Sequence, residues 1–174
     1  AQVMGVSMMT YQINEALECV KIGKETNPGI ISIVGGKHIT ILPEQTMVHP
    51  YFDYGVIGEG EEALFELLTC LENGKSGENI RNLVYRRDKG VIVNHERPHM
   101  DMNLMDPLDW DLLDNITLET MKKEKSAALL AGKGCNFKCT FCYMSVVSDH
   151  QRGRNAENLF KDLTIIIDKF NAKH

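Results

Sequence analysis

Apolar and polar positions alternate between two rhythms over the first half of the chain. Val3 to Met8 is a short run that reads as a buried strand. Ile13, Leu17, Val20 and Ile22 then form a helical stripe ending near Asn27-Pro28-Gly29. Ile30 to Val34 is continuous, apolar and β-branched, as a strand covered on both faces requires, and it stops at Gly35-Gly36. A short helix is predicted around Pro43 to Val48. Tyr54 to Ile57 is a third strand, closed by Gly58-Glu59-Gly60-Glu61. The helix predicted from Glu61 to Leu71 carries Leu64, Leu67, Leu68 and Leu71 on one face. Strand and helix alternating at this spacing specify an α/β fold with a parallel sheet and crossover helices. Three strands are few for such a sheet, so a further N-terminal part is expected.

The second half changes character. Leu83-Val84-Tyr85 and Val91-Ile92-Val93, separated by a turn ending in Gly90, predict a β-hairpin. Residues Arg97 to Leu113, with Pro98, Pro107 and several acidic residues, read as an extended linker in which Trp110 anchors the segment to a domain. A new unit begins near Lys125. It comprises a strand at Ala127 to Ala131, a cysteine-rich loop, and a helix from about Asn155 to Phe170 with an apolar face through Leu159, Leu163, Ile166 and Phe170.

Composition narrows the class. The 174 residues are 43% hydrophobic and 25% charged, the profile of a globular chain. The net charge of −5 gives no footprint for nucleic acid or an acidic membrane surface. No apolar run approaches the ~20 residues of a membrane span, and no secretory signal is visible, so the cytoplasm is the expected compartment. Ala1 opens directly onto a strand and His174 follows directly on a helix, so the chain reads as part of a longer protein. The missing parts of the fold belong to that parent or to another chain.

Of five cysteines, Cys19 and Cys70 stand alone in helical segments and are expected as buried thiols. Cys135, Cys139 and Cys142 share one loop with the spacing C-x3-C-x2-C. Three thiolates this close can wrap one side of an iron–sulfur cubane, which four cysteines usually hold. One iron then stays open to a cosubstrate. A structural zinc with His150 as fourth ligand is the alternative, although zinc modules usually present separated ligand pairs. Met8, Met9, Met100, Met102 and Met105 read as adaptable fillers. His95 and His99 flank the hairpin without a second ligand nearby. Arg152 and Arg154 read as solvated surface and are not assigned to the site.

Cys135, Cys139 and Cys142, with the aromatic Phe141 before the last of them, resemble the radical SAM signature. Gly132-Lys133-Gly134 before the loop and Arg152-Gly153-Arg154-Asn155 after it are also similar to that family. The resemblance implies a [4Fe–4S] cluster on the three cysteines and S-adenosylmethionine chelated at the free iron, with Phe141 in the cofactor site. It also implies reductive cleavage to methionine and a 5′-deoxyadenosyl radical, and an external electron donor such as a flavodoxin or ferredoxin.

The glycine turns extend the resemblance. Ser7, Gly35-Gly36-x-His38 and Gly58-Glu59-Gly60-Glu61, followed by hairpin, linker and cysteine loop, are similar to cobalamin-dependent radical SAM enzymes along nearly the whole chain. On that resemblance, residues 1–80 are the C-terminal part of a Rossmann-like, cobalamin-binding domain, 81–124 a hairpin and linker, and 125–174 the first βα unit of a radical SAM (β/α) barrel. Ser7, Thr10, Gly35, Gly36, His38, Gly58, Glu59 and Gly60 would line the pocket for the cobalamin tail or corrin, with the corrin facing the barrel. The Asp-x-His-x-x-Gly motif that supplies a cobalt-ligating histidine elsewhere is absent, and Asp149-His150-Gln151-Arg152-Gly153 has a different spacing. Methyl transfer to an unactivated carbon of a small molecule is the implied reaction. Radical cyclisation of a magnesium-porphyrin ester is the competing one, and an inactive fragment or zinc-binding module the non-catalytic one.

Overall fold

The computed structural model describes residues 2–88, 90–148 and 150–173. They fall into two compact units, Ala1–His99 and Met100–His174.

In the first unit β1 (Val3–Ser7) leads through a 3-10 turn into α1 (Ile13–Thr26), then β2 (Ile31–Gly35), α2 (Lys37–Ile41) and α3 (Pro43–Met47). β3 (Tyr54–Val56), α4 (Glu61–Glu72), β4 (Leu83–Arg87) and β5 (Gly90–Val93) complete it. The sheet runs β1-β2-β3-β4-β5, in chain order. β1, β2 and β3 are parallel, with Ser7 opposite Gly35 and Val34 opposite Gly55. The hairpin predicted from the Gly90 turn is not a separate element. β4 pairs antiparallel with β3, Val56 opposite Leu83, so the hairpin carries the sheet onward.

Alternation along β2 sends neighbouring side chains to opposite faces. Val34 enters a core with Ala16 and Val20 of α1, Ile39 of α2, Met47 of α3 and Phe52. Ile33 enters a second core with Ala63 and Leu67 of α4, Leu83 and Tyr85. The sheet is therefore clad on both faces, each large apolar side chain contributing about 1.5–3 kcal/mol on burial. Two expectations change. β1 is half-exposed, because among the described residues it lies at the sheet's edge, paired with β2. The buried stripes pass through Ala16–Val20 and Ala63–Leu67, which leaves Ile22 and Leu64 at the surface.

The second unit contains α5 (Asn115–Glu124), β6 (Gly132–Lys133), α6 (Met144–Val147), β7 (Arg152–Gly153) and α7 (Ala156–Phe170). Ala127 to Ala131, expected as a strand, is without ladder pairing. Only Gly132 and Lys133 pair, antiparallel, with Gly153 and Arg152. An extended segment becomes a strand when a neighbour takes up its backbone groups, and among the described residues only β7 does so. The expected linker is partly ordered. Asp101, Asp109 and Asp114 each accept a backbone N–H at the start of a helical turn, and Asp114 begins α5, which the sequence reading missed. Trp110 does anchor its segment, edge-on to Phe170 at 5.3 Å between ring centroids.

The N-cap of α7 is Asn155, whose Oδ1 accepts from the Asn158 N–H at 2.8 Å. Its buried face is Asp162, Ile166 and Phe170, while the expected Leu163 is exposed. Arg154, read as surface, is buried and ion-paired to Asp162. Cys19 is exposed and Cys70 half-buried, packed at the margin of the second core, so neither is the buried thiol expected. Met8 and Met102 are buried fillers, whereas Met9 is exposed. No helix among the described residues is long and apolar enough to cross a membrane.

Candidate functional site

Three parallel strands end side by side, and their carboxyl ends form one rim of the first unit, the edge where open α/β sheets bind ligands. Ser7 closes β1 opposite Gly35. The chain after Ser7 is knitted to the chain after β2: Met8 N–H donates to the Gly35 carbonyl at 3.1 Å, and His38 N–H to the Met8 carbonyl at 3.3 Å. Gly36 has φ of 96°, and a Cβ there would stand 2.6 Å from the Met8 carbonyl oxygen, so only glycine allows this approach. Gly35 differs. Its φ is ordinary and an added Cβ would meet nothing within 4 Å, so the fold itself does not require glycine there. What its bare backbone leaves is room beside the rim.

Ser7 and Thr10 are exposed on this rim, whereas His38 is buried behind it, with Nδ1 3.1 Å from Thr10 Oγ1. Burial, and after it the nearby His49, lowers the His38 pKa, which favours the neutral ring. After β3 the chain turns at Gly58, whose φ is 65°. Gly58 N–H donates to Thr40 Oγ1 at 3.0 Å, and the same hydroxyl donates to the Gly36 carbonyl at 2.8 Å. Gly60 is the N-cap of α4, and the Glu59 carboxylate lies 3.8 Å from His99 Nδ1. All eight rim residues singled out in the sequence thus lie on, or directly behind, the carboxyl ends of β1, β2 and β3. Thr40 and the buried Asn82, which donates to the Glu59 carbonyl at 3.1 Å, were missed. No local spacing marks them.

In the second unit the cysteine loop follows β6 and is fastened at its base. Gly134 has φ of 87°, and a Cβ there would collide with the His150 carbonyl. Cys135 N–H donates to Ser148 Oγ at 3.1 Å, Gln151 N–H to Asn136 Oδ1 at 2.7 Å, and Lys138 Nζ to the Ser148 carbonyl at 2.7 Å. Phe137 N–H points at Cys135 Sγ at 3.5 Å. Cys139 is exposed, Cys135 and Cys142 are half-exposed, and Phe141 stands out from the loop, 91% exposed.

Among the described residues no three His, Cys, Asp or Glu side chains are gathered for one metal ion. Three thiols spread along one fastened loop nevertheless have the donor chemistry of a cluster, whose irons sit at separate corners. His150 reaches the loop's base through its backbone carbonyl, which accepts from Ser148 Oγ at 3.1 Å. Asp149 lies outside the described residues.

Known proteins match both halves. The B12 binding domain family model matches residues 1–68. An uncharacterised methyltransferase of Pyrococcus horikoshii is 29% identical over 98% of this chain and 38% of its own length. An anaerobic magnesium-protoporphyrin IX monomethyl ester cyclase of Rubrivivax gelatinosus is 27% identical over 98% of this chain and 32% of its own. The cobalamin-dependent radical SAM methyltransferase TokK of Streptomyces tokunonensis is 25% identical over 80% and 21%. The chain thus spans about a third of the length of the first two of these relatives.

Among solved structures, the cobalamin-dependent S-adenosylmethionine radical enzyme OxsB with aqua-cobalamin superposes with a TM-score of 0.78 at 23% identity, covering 99% of this chain and 24% of that one. The radical S-adenosylmethionine methyltransferase TsrM of Kitasatospora setae gives 0.73 at 16% identity, covering 96% and 35%. Residues 1–68 therefore match the B12 binding domain family, and the proteins the chain is similar to include a cobalamin-dependent radical SAM methyltransferase and magnesium-protoporphyrin IX monomethyl ester cyclases.

Proposed function

We propose that this chain is the cofactor-holding part of a cobalamin-dependent radical SAM enzyme that transfers a methyl group to an unactivated carbon of a small molecule. One observation carries this reading: a B12-binding match and a C-x3-C-x2-C loop stand on the same chain. The rim of Ser7, Thr10, Gly35, Gly36, Gly58, Glu59 and Gly60, backed by His38, would hold cobalamin. The bare backbone at Gly35 gives the ligand close approach. Cys135, Cys139 and Cys142 would hold the [4Fe–4S] cluster, with Phe141 beside S-adenosylmethionine. When bound, the cluster supplies the electron that cleaves S-adenosylmethionine, and cobalamin carries the methyl group. The electron would come from an external donor of flavodoxin or ferredoxin type, and a cluster held by three thiolates would suit the reducing cytoplasm.

The protein's own task is fastening. Ser148, Lys138 and Asn136 fix the base of the cysteine loop, so three donors start from one restrained backbone. A second reading, radical cyclisation of a porphyrin ester, is favoured by the alignment of the Rubrivivax cyclase over nearly the whole chain. The residues that contact the substrate would decide between the two.

The test is anaerobic reconstitution with iron and sulfide, followed by the visible spectrum and metal analysis. A brown protein with about four irons per chain, bleached by dithionite, is the expected result. A colourless protein holding one zinc would leave a structural metal module and end the radical reading.

A further inference from the structure

We propose that Thr40 and Asn82 are positioning residues that lock the Gly58-Glu59-Gly60 turn into the cobalamin rim. This rests on the cobalamin reading of that rim and assigns the setting of its shape to two side chains that stand behind it.

Asn82 is 4% exposed and sits just before β4, outside the segment matched to the B12 family. Its φ is 66°, in the left-handed region that only glycine and asparagine enter readily. All its polar groups are used. Nδ2 donates to the Glu59 carbonyl at 3.1 Å, Oδ1 accepts from Arg97 N–H at 2.6 Å, its carbonyl accepts from Ile57 N–H at 2.9 Å and its N–H donates to the His95 carbonyl at 3.1 Å. One residue thus grips both ends of the Ile57–Glu59 bend and ties it to the irregular segment that follows the hairpin. Arg97 adds a second tie, its guanidinium bridging Glu62 and Glu66 on α4.

Thr40 works from the other side. Its hydroxyl accepts from Gly58 N–H and donates to the Gly36 carbonyl, so one oxygen fixes the distance between the turn after β2 and the turn after β3. A turn of three residues with two glycines has many conformations open to it. Two buried or half-buried side chains select one before any ligand arrives, which is where preorganised affinity comes from.

The experiment is spectrophotometric titration of the full chain with hydroxocobalamin, for wild type, Thr40→Val, Thr40→Ser and Asn82→Gly. Valine keeps the shape of Thr40 without its hydroxyl. Serine keeps the hydroxyl. Glycine at 82 keeps the backbone angle and deletes the amide. Lys24→Met is the control. It breaks the 2.6 Å pair with Asp53 at the amino ends of the strands, away from the rim.

Thr40→Val and Asn82→Gly are each expected to weaken cobalamin about tenfold, the size of one lost hydrogen bond. Thr40→Ser should bind as wild type, and Lys24→Met should lower Tm without changing affinity. Hydrogen exchange at the Gly58 amide should quicken in Thr40→Val and not in Thr40→Ser. Wild-type affinity in both Thr40→Val and Asn82→Gly would overturn the positioning role while leaving the cobalamin reading standing. A wild-type chain that binds no cobalamin would overturn the reading itself. If Asn82→Gly does not fold, the valine and serine pair at Thr40 decides.

Discussion

His38 lies buried behind Thr10, and burial, with His49 second, holds its imidazole below the usual histidine range. Such a ring binds fewer protons folded than unfolded once the pH falls to about 6.5, its ordinary value. The stability it contributes is present above that pH and is lost as pH drops through the lowered folded pKa. Thermal unfolding measured from about pH 8 to about pH 5 should show a falling Tm, and His38→Gln should flatten the fall. An unchanged slope would assign the acid sensitivity to other groups. A second residue-scale consequence sits at the start of α7. Arg154→Met would strand the Asp162 carboxylate in a dry setting at a cost of about 3–5 kcal/mol, whereas Arg154→Met with Asp162→Leu should recover most of it. Urea titrations of the two variants give the comparison, and equal losses would show that the pair does not hold that helix.

Elements were legible in proportion to how much of them is buried. β2 and α4 lie against cores, and their apolar spacing followed from that. α5 buries no residue and owes its start to Asp114 and its end to Lys125 in the left-handed conformation, so no periodic stripe announces it. The segment at Ala127 to Ala131 has strand composition, but pairing depends on neighbours that composition does not encode. The same divide separates the site residues. The cysteine spacing and the glycine turns are local patterns, readable in a line of text. Thr40 and Asn82 act across 18 and 23 residues, and Asp162 hid in a helix face that spacing assigned to Leu163.

Packing between elements makes its own prediction. A Cβ on Gly55 of β3 would run into Ile39 of α2 and come within 3.2 Å of Met47 Sδ on α3. Gly55→Ala should cost about 1–3 kcal/mol by overpacking, read as a lower urea midpoint with an unchanged slope. Truncating Ile39 to valine in the same chain should restore part of the loss.

On the scale of the whole molecule, the residues proposed for the two groups belong to separate compact units. Replacing Cys135, Cys139 and Cys142 together with alanine should abolish iron uptake on reconstitution, read by iron analysis, and full iron loading of that variant would move the cluster off the loop.

The order of the strands in the first unit has a consequence for how the protein is made. Every strand from β1 to β5 lies beside the one synthesised just before it. As the chain emerges from the ribosome, each strand after β1 finds a partner already in place, one turn or at most two helices back. The open edge of each strand waits only for the next strand in the chain, so the interval in which a sticky apolar edge could recruit a stranger is short. The sheet grows outward like a row being knitted, and the Leu83–Val93 hairpin is its last course.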